Sequence, residues 1–431
     1  MHLFKQKGHA RLNKMGNLEC LTILGSLLLF WSPGLAESLS YNELLEKAIE
    51  RAGLEGLRDN AEAAARARRN AATAIPNPSA FVEHESLDGS VGEFDETTAG
   101  ISTRLDFLWK RGARIDSAER RNRMAEHRIN EKSRQIAFEV ATLFIAFEKN
   151  RDERATVISS HKSLHSARII AESLVSNGDI PQSNLRRIEM AIEQLDLELV
   201  DLESRKAGLL ARLSALTGVE NVEPSGVVQP GGLSFGSAAE AIAKADQQRP
   251  DLQAMEAYVQ WQEAEVGRIR AEGRPDANLD LAYKRNSDDQ SGAFIGLSVE
   301  LPVFARSRAE AALARSDQRT ADLQFAQARR TVVGEVAGAF KRWQSIRQLE
   351  AGRSDGNGKI RQNEAYLNSA EAAFKAGESS LIEYLDALRT HLESRRSQLE
   401  FAYRLNLATA ELAHLTASEI PFETSQATLS D

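Results

Sequence analysis

Gln135-Ile136-Ala137-Phe138-Glu139-Val140-Ala141-Thr142-Leu143-Phe144-Ile145-Ala146-Phe147 lies inside a run, bounded by Gly112 and Gly178, of 65 residues without a glycine. No proline occurs from Ser79 to Ile180. Ile136, Val140, Leu143 and Phe147 step by four, three and four, which puts them on one face of an α-helix. With nothing to break it, the run predicts one helix over 112–177, roughly 100 Å long at 1.5 Å per residue. A compact core cannot surround such a rod, so it must pack lengthwise against others.

The rest of the chain has the composition for such partners. Its 431 residues are rich in Ala, Leu, Arg and Glu, with 27% charged and 6% aromatic residues, the profile of long helices. The formal charge is -8 and there is no basic tract, which argues against nucleic acid and anionic lipid heads as partners. Residues 1–36 stand apart. Lys5, Lys7, Arg11 and Lys14 precede an apolar run from Leu21 to Trp31, followed by Pro33, Gly34 and Ala36, the pattern of a secretory signal peptide. The sole cysteine, Cys20, lies before the apolar run, so the mature chain is expected to have no thiol. That excludes disulfides, thiol catalysis and Cys-ligated metal, and suits an oxidising periplasm.

The chain repeats with an offset of about 199 residues. Pro78-Ser79-Ala80 faces Pro275-Asp276-Ala277, Leu105 faces Leu301, Asn177-Gly178-Asp179 faces Ala376-Gly377-Glu378, and Leu216-Thr217-Gly218 faces Leu415-Thr416-Ala417. The first repeat is expected over 37–218: amphipathic helix from Tyr41 to Ala74, hairpin strands at about 79–107, the rod 112–177 and a returning helix 181–217. A Gly- and Pro-containing linker, 219–236, leads to the second repeat, 237–417. That repeat is expected to hold a helix from Ser237 to Glu272, strands at about 277–301, a rod 305–376 and a returning helix 379–416, with a tail 418–431. Leu195, Leu202, Leu209 and Leu216 fall seven apart, and Leu381, Leu385, Leu388, Leu392 and Leu399 follow a heptad, so the returning helices pack as in coiled coils. The second rod is expected to break where Gly352, Gly356 and Gly358 bracket Ser354 and Asp355.

The strands are the informative oddity. In Ile101 to Phe107 and in Ile295 to Leu301 every second residue is apolar, Thr103 excepted, and the others are small or charged. Leu279, Leu281 and Tyr283 repeat the pattern, giving one greasy and one wet face. Polar loops, 88–100 and 285–292, are expected to join the strands of each pair. Four strands cannot close an outer-membrane barrel, which needs about eight or more. Three chains would supply twelve.

The step Ile75-Pro76-Asn77-Pro78, the two-fold repeat, the exits Leu105-Asp106-Phe107-Leu108-Trp109 and Leu301-Pro302-Val303-Phe304, and Phe374-Lys375-Ala376-Gly377-Glu378-Ser379-Ser380-Leu381-Ile382-Glu383-Tyr384-Leu385-Asp386-Ala387 together resemble the TolC-like outer-membrane efflux proteins. In look they resemble most the outer-membrane components of cobalt-zinc-cadmium resistance systems. The resemblance implies a mainly α, internally duplicated fold with a small β part. It implies a homotrimer whose twelve-stranded outer-membrane barrel, in contact with lipid, continues into a long periplasmic α-helical barrel. The implied role is exit duct for an inner-membrane pump of the resistance-nodulation-division type, coupled through a periplasmic adaptor (membrane fusion protein). By the same resemblance Asn177, Gly178, Gly377 and Glu378 are adaptor-docking candidates at the hairpin tips, and Glu383 and Asp386 form an acidic aperture, with Ser379 where a basic residue could brace the closed mouth. Plain turn residues and a solvated helix face are the competing readings.

No phosphate loop, Gly-x-Ser-x-Gly or His-Glu-x-x-His occurs, so neither enzymatic activity nor a cofactor is expected. His161 and His165 are spaced i, i+4 and could share a metal, but no third ligand stands near them in sequence and they read as surface histidines, leaving no metal site expected. The cargo stays open among heavy-metal cations, drugs and secreted protein. A periplasmic adaptor would need a lipoyl-like β-domain between its helices and a membrane anchor, neither of which is visible, and a structural coiled coil leaves the four strands and the leader unexplained.

Overall fold

The computed structural model describes residues 37–90, 92–230, 232–301, 306–352, 356–420 and 422–425. The expected leader with Cys20, Pro302 to Phe304 of the second exit, Ser354 and Asp355, and most of the C-terminal tail lie outside the described residues.

A short strand β1 (Glu37–Leu39) leads into α1 (Tyr41–Arg51) and α2 (Leu54–Thr73), then the hairpin β2 (Ser79–Gly89) and β3 (Gly92–Arg104), then α3 (Phe107–Ser176) and α4 (Gln182–Thr217). The second half runs β4 (Val222–Pro224), β5 (Val227–Pro230), α5 (Ala238–Gln248), α6 (Pro250–Glu272), the hairpin β6 (Asp276–Asn286) and β7 (Ser291–Glu300), then α7 (Arg306–Gly352), α8 (Gly356–Lys375), α9 (Leu381–Leu415) and β8 (Phe422–Ser425).

Several boundaries differ from expectation for identifiable reasons. The first rod begins at Phe107, ahead of Gly112, because an isolated glycine does not stop a helix held by its neighbours. The helix expected from Tyr41 to Ala74 is two helices, divided at Gly53, whose φ of 64° is left-handed. That expected from Ser237 to Glu272 divides at Arg249, ahead of Pro250, which opens α6 as its first residue. The loop expected over 88–100 is instead strand: β3 pairs with β2 from Gly92↔Gly89 to Ser102↔Ser79, and with β6 from Glu96↔Asn286 onward. The second loop is also shorter than expected, since β7 starts at Ser291. Within the linker, β4 pairs with β1 and β5 with β8.

The rod α3 buries the stripe read from sequence, with Ile136, Val140, Leu143 and Phe147 all nearly inaccessible. Two apolar clusters form a belt around the rods at that level, one gathering α1 and the start of the chain, the other α5, α7 and the end of α9. A third cluster fastens α3 and α4 to α8 and α9 towards the turns, through Leu164, Ile188, Leu195, Phe374, Tyr384 and Leu388. Hydrophobic burial along these seams is what holds rods of this length side by side.

Candidate functional site

The functional geometry is spread over three levels of the molecule. At one end, β2, β3, β6 and β7 form a single sheet in that order. Its register puts Ala80, Ile101, Leu281 and Ile295 in one row, with Val82, Ala99, Tyr283 and Ala293 beside it, and Thr103, Leu279 and Leu297 on the other side. Because neighbouring residues of a strand alternate faces, these share a face, and it is open: Val82 and Ile295 are 73% exposed and Leu297 67%. The opposite face carries Glu83 with Lys284, Ser102 with Asp280, and Arg104 with Asn278 and Ser298. On that face Lys284 pairs with Glu96 at 2.5 Å and lies over the Phe294 ring. Among the described residues, the edge strands β2 and β7 each pair on one side only. An apolar face and two free edges together mark a wall segment made for lipid and for closure by further strands.

Where the sheet meets the helices, an ionic cluster joins the two halves. Asp106 and Lys110, at the start of α3, are completely buried. Lys110 donates to Asp276 and to the Glu272 carbonyl (3.1 Å), while Arg114 forks onto Glu272 at 2.5 and 2.9 Å and reaches Asp106 at 3.3 Å. Arg104 closes the cluster on Asp106 at 2.9 Å. The hydrogen bonds that Arg114 donates to Glu272 raise its affinity for its proton. Sequence reading singled out Leu105 to Trp109 but missed Lys110, whose partner lies 166 residues away.

At the far end are the two helix turns. Both are Schellman caps. In the first, Asp179 donates to the Leu174 carbonyl (2.9 Å) and Gly178 to Val175 (3.0 Å); in the second, Glu378 donates to Ala373 (2.9 Å) and Gly377 to Phe374 (3.1 Å). Gly178 and Gly377 have φ of 81° and 73°, the left-handed geometry that such caps need. Asn177 is the last residue of the first cap's helix side, and Glu378 is exposed at the second tip. All four docking candidates therefore sit at the tips, and the glycines have a backbone duty of their own.

Glu383 and Asp386 are both exposed on the first turns of α9. Glu383 also completes a capping box: Ser380 Oγ accepts from the Glu383 amide (3.3 Å), and the Glu383 carboxylate accepts from the Ser380 amide (2.9 Å). This was visible as Ser-x-x-Glu in the sequence. Ser379 Oγ is buried without a hydrogen-bond partner. Behind this face Tyr384 is fully buried, stacked on Phe374 at 5.4 Å, and burial pushes its phenol pKa well up.

Among the described residues no helix is long and apolar enough to cross a membrane, and no group of three or more His, Cys, Asp or Glu side chains is arranged to hold a metal ion. A membrane-facing sheet segment continued by helix pairs about 100 Å long defines a class: an outer-membrane channel with a periplasmic helical extension. Residues 241–418 match the family model described as outer membrane efflux protein. The chain resembles the TolC-like outer-membrane efflux proteins, a family of passive channels, and it resides in the outer membrane and extends into the periplasm. It is 24% identical over 353 residues to the nickel-cobalt-cadmium resistance protein NccC of Alcaligenes xylosoxydans xylosoxydans, covering 79% of this chain and 80% of that one. To the cobalt-zinc-cadmium resistance protein CzcC of Cupriavidus metallidurans it is 25% identical over 339 residues, covering 75% and 77%. Its fold is that of CusC (TM-score 0.68, 18% identity, 88% of this chain and 92% of that one) and of the Campylobacter jejuni CmeC outer membrane channel (0.65, 17%, 97% and 96%).

Proposed function

We propose that three copies of this chain close a twelve-stranded barrel and form the exit duct of a tripartite efflux system for heavy-metal cations. The observation that carries the reading is the four-stranded sheet, open at both edges, apolar on one face and charged on the other. Three such sheets joined β7 to β2 satisfy every edge and turn the apolar face to lipid. The lining face then presents Glu83, Asp280 and Glu300 against Arg104 and Lys284, a balance that favours cations. The names of NccC and CzcC, both metal-resistance proteins, support the cargo.

At the other end, the tips at Asn177, Gly178, Gly377 and Glu378 receive the periplasmic adaptor, which couples the duct to an inner-membrane pump of the resistance-nodulation-division type. Glu383 and Asp386, three apart on one exposed face, form rings of three carboxylates at the mouth. Glu383→Gln keeps the capping box, since Gln also serves there, and removes only the charge. Paired with Asp386→Asn it should reduce cation preference of single channels in planar bilayers; unchanged selectivity would overturn the aperture assignment. A strain lacking the chain should lose tolerance to zinc, cobalt, cadmium or nickel. Sensitivity confined to dyes, detergents and antibiotics would overturn the metal cargo in favour of multidrug efflux.

A further inference from the structure

His161 and His165 on α3 were left aside by sequence reading for want of a third group, and the fold brings one. Asp196, from the neighbouring helix α4, lies 2.9 Å from His161 Nε2. An ionised carboxylate only accepts, so Nε2 carries the proton in this contact. When the imidazole is neutral, its Nδ1 lone pair is left free. A carboxylate or carbonyl that holds one ring nitrogen while the other faces a metal is the recurrent support of histidine ligands.

The second imidazole is already in place. The rings of His161 and His165 meet edge to face with centroids 4.4 Å apart. Tetrahedral coordination at Zn–N distances of 2.0–2.1 Å needs ring nitrogens about 3.3 Å apart, a separation of the same order as that between the two centroids. The backbone beneath is fixed, because Leu164, between the two histidines, and Leu195, next to Asp196, are both buried in the seam between α3 and α4. The side chains themselves stay reachable: that of His161 is 23% and that of Asp196 56% exposed.

We propose that His161 and His165 bind one divalent transition-metal ion on each chain, with Asp196 orienting the His161 ring and water completing the coordination. The position is 16 residues before the Asn177 cap, about 24 Å up the rod from the tip. Imidazole pairs select zinc, nickel, cobalt and copper over magnesium and calcium. The assignment stands on the geometry of these three residues and goes beyond the cargo reading, which it does not need.

The test is zinc titration of the purified full-length protein in detergent by calorimetry, in excess magnesium so that surface carboxylates are occupied. One zinc per chain is expected. His161→Gln and His165→Gln should each weaken binding at least tenfold, with circular dichroism unchanged. Asp196→Ala should weaken it several-fold at unchanged stoichiometry, and Asp196→Asn, which keeps an acceptor, should restore most of the affinity. Absence of zinc binding in the wild-type protein, or affinity unchanged in both histidine variants, overturns the proposal. Growth on metals reads the cargo separately, so either reading can fail while the other stands.

Discussion

The two repeats share one plan and differ in how their returning helices begin. In the first, the rod α3 runs 70 residues from the sheet to the tip. In the second, the described helices over the same distance are α7, up to Gly352, and α8, from Gly356. The difference that the structure shows lies at the turns. Both carry the same Schellman cap, but α4 is preceded by Pro181, which gives no side-chain cap, whereas α9 starts with the Ser380–Glu383 box. Repetition fixed the turn geometry in both halves; a side-chain cap was added to only one of the two returning helices.

The ionic cluster below the sheet and the contacts of His414 fasten the unequal halves together, and they should give the largest effects. Lys110→Met leaves Asp276 without its buried partner. Arg104 still reaches Asp276 at 3.5 Å and that carboxylate is 29% exposed, so the cost is about 1.5–3 kcal/mol, read as a lower melting temperature in detergent. An unaffected protein would show that the halves are joined elsewhere.

His414, near the end of α9, stacks on Phe138 of α3 at 4.4 Å, and Arg134 donates to its carbonyl. Burial, helped by Arg134 and Arg249, lowers its pKa to about 4. The folded state therefore prefers neutral imidazole. Its contribution is complete above about pH 6.5 and is lost as pH falls towards 4, a drop of about 3 kcal/mol. Thermal unfolding of the wild type against His414→Gln should show the variant's pH dependence flattened over that interval.

At the tips the comparison sharpens to parity. Gly178→Ala and Gly377→Ala each force a Cβ into left-handed geometry at a cost of about 1–2 kcal/mol. Similar costs are expected, because the hydrogen bonds of the two caps match. Unequal costs would mean that the turns differ in ways their backbones do not show. The smallest effect is at the helix starts. Ser380→Ala should cost about 1 kcal/mol and speed amide exchange over residues 381–385, while Pro181→Ala should leave the start of α4 nearly unchanged.

How much of this was legible follows from the range of each interaction. The stripe Ile136, Val140, Leu143, Phe147 and the alternation of 295–301 are local patterns set by which face is buried or meets lipid, so they could be read directly. The start of β3 was not legible, because Glu93 to Gly100 includes Glu, Asp and Thr on both faces and lacks period-two contrast. Strands β1, β4, β5 and β8 have three or four residues each, too few for any period. Of the candidate site, the tip glycines and the carboxylates Glu383 and Asp386 could be placed by motif. The capping box at Glu383 was written in the sequence and was eclipsed by the aperture reading. Lys110 with Asp276, and Asp196 with His161, depend on contacts between distant segments and could appear only in the folded chain.

The central claim is that the open sheet closes by joining β7 of one copy to β2 of the next. Cysteines placed at Ser79 and Ser298, in a chain whose native Cys20 precedes the expected cleavage point, test it directly when membranes are oxidised and run on a denaturing gel. Closure predicts a covalent trimer from the double variant, dimers at most from either single variant, and a wild type that dissociates on heating. A double variant that stays monomeric, together with scanned neighbouring pairs along the same two strands that also fail to link, would contradict it.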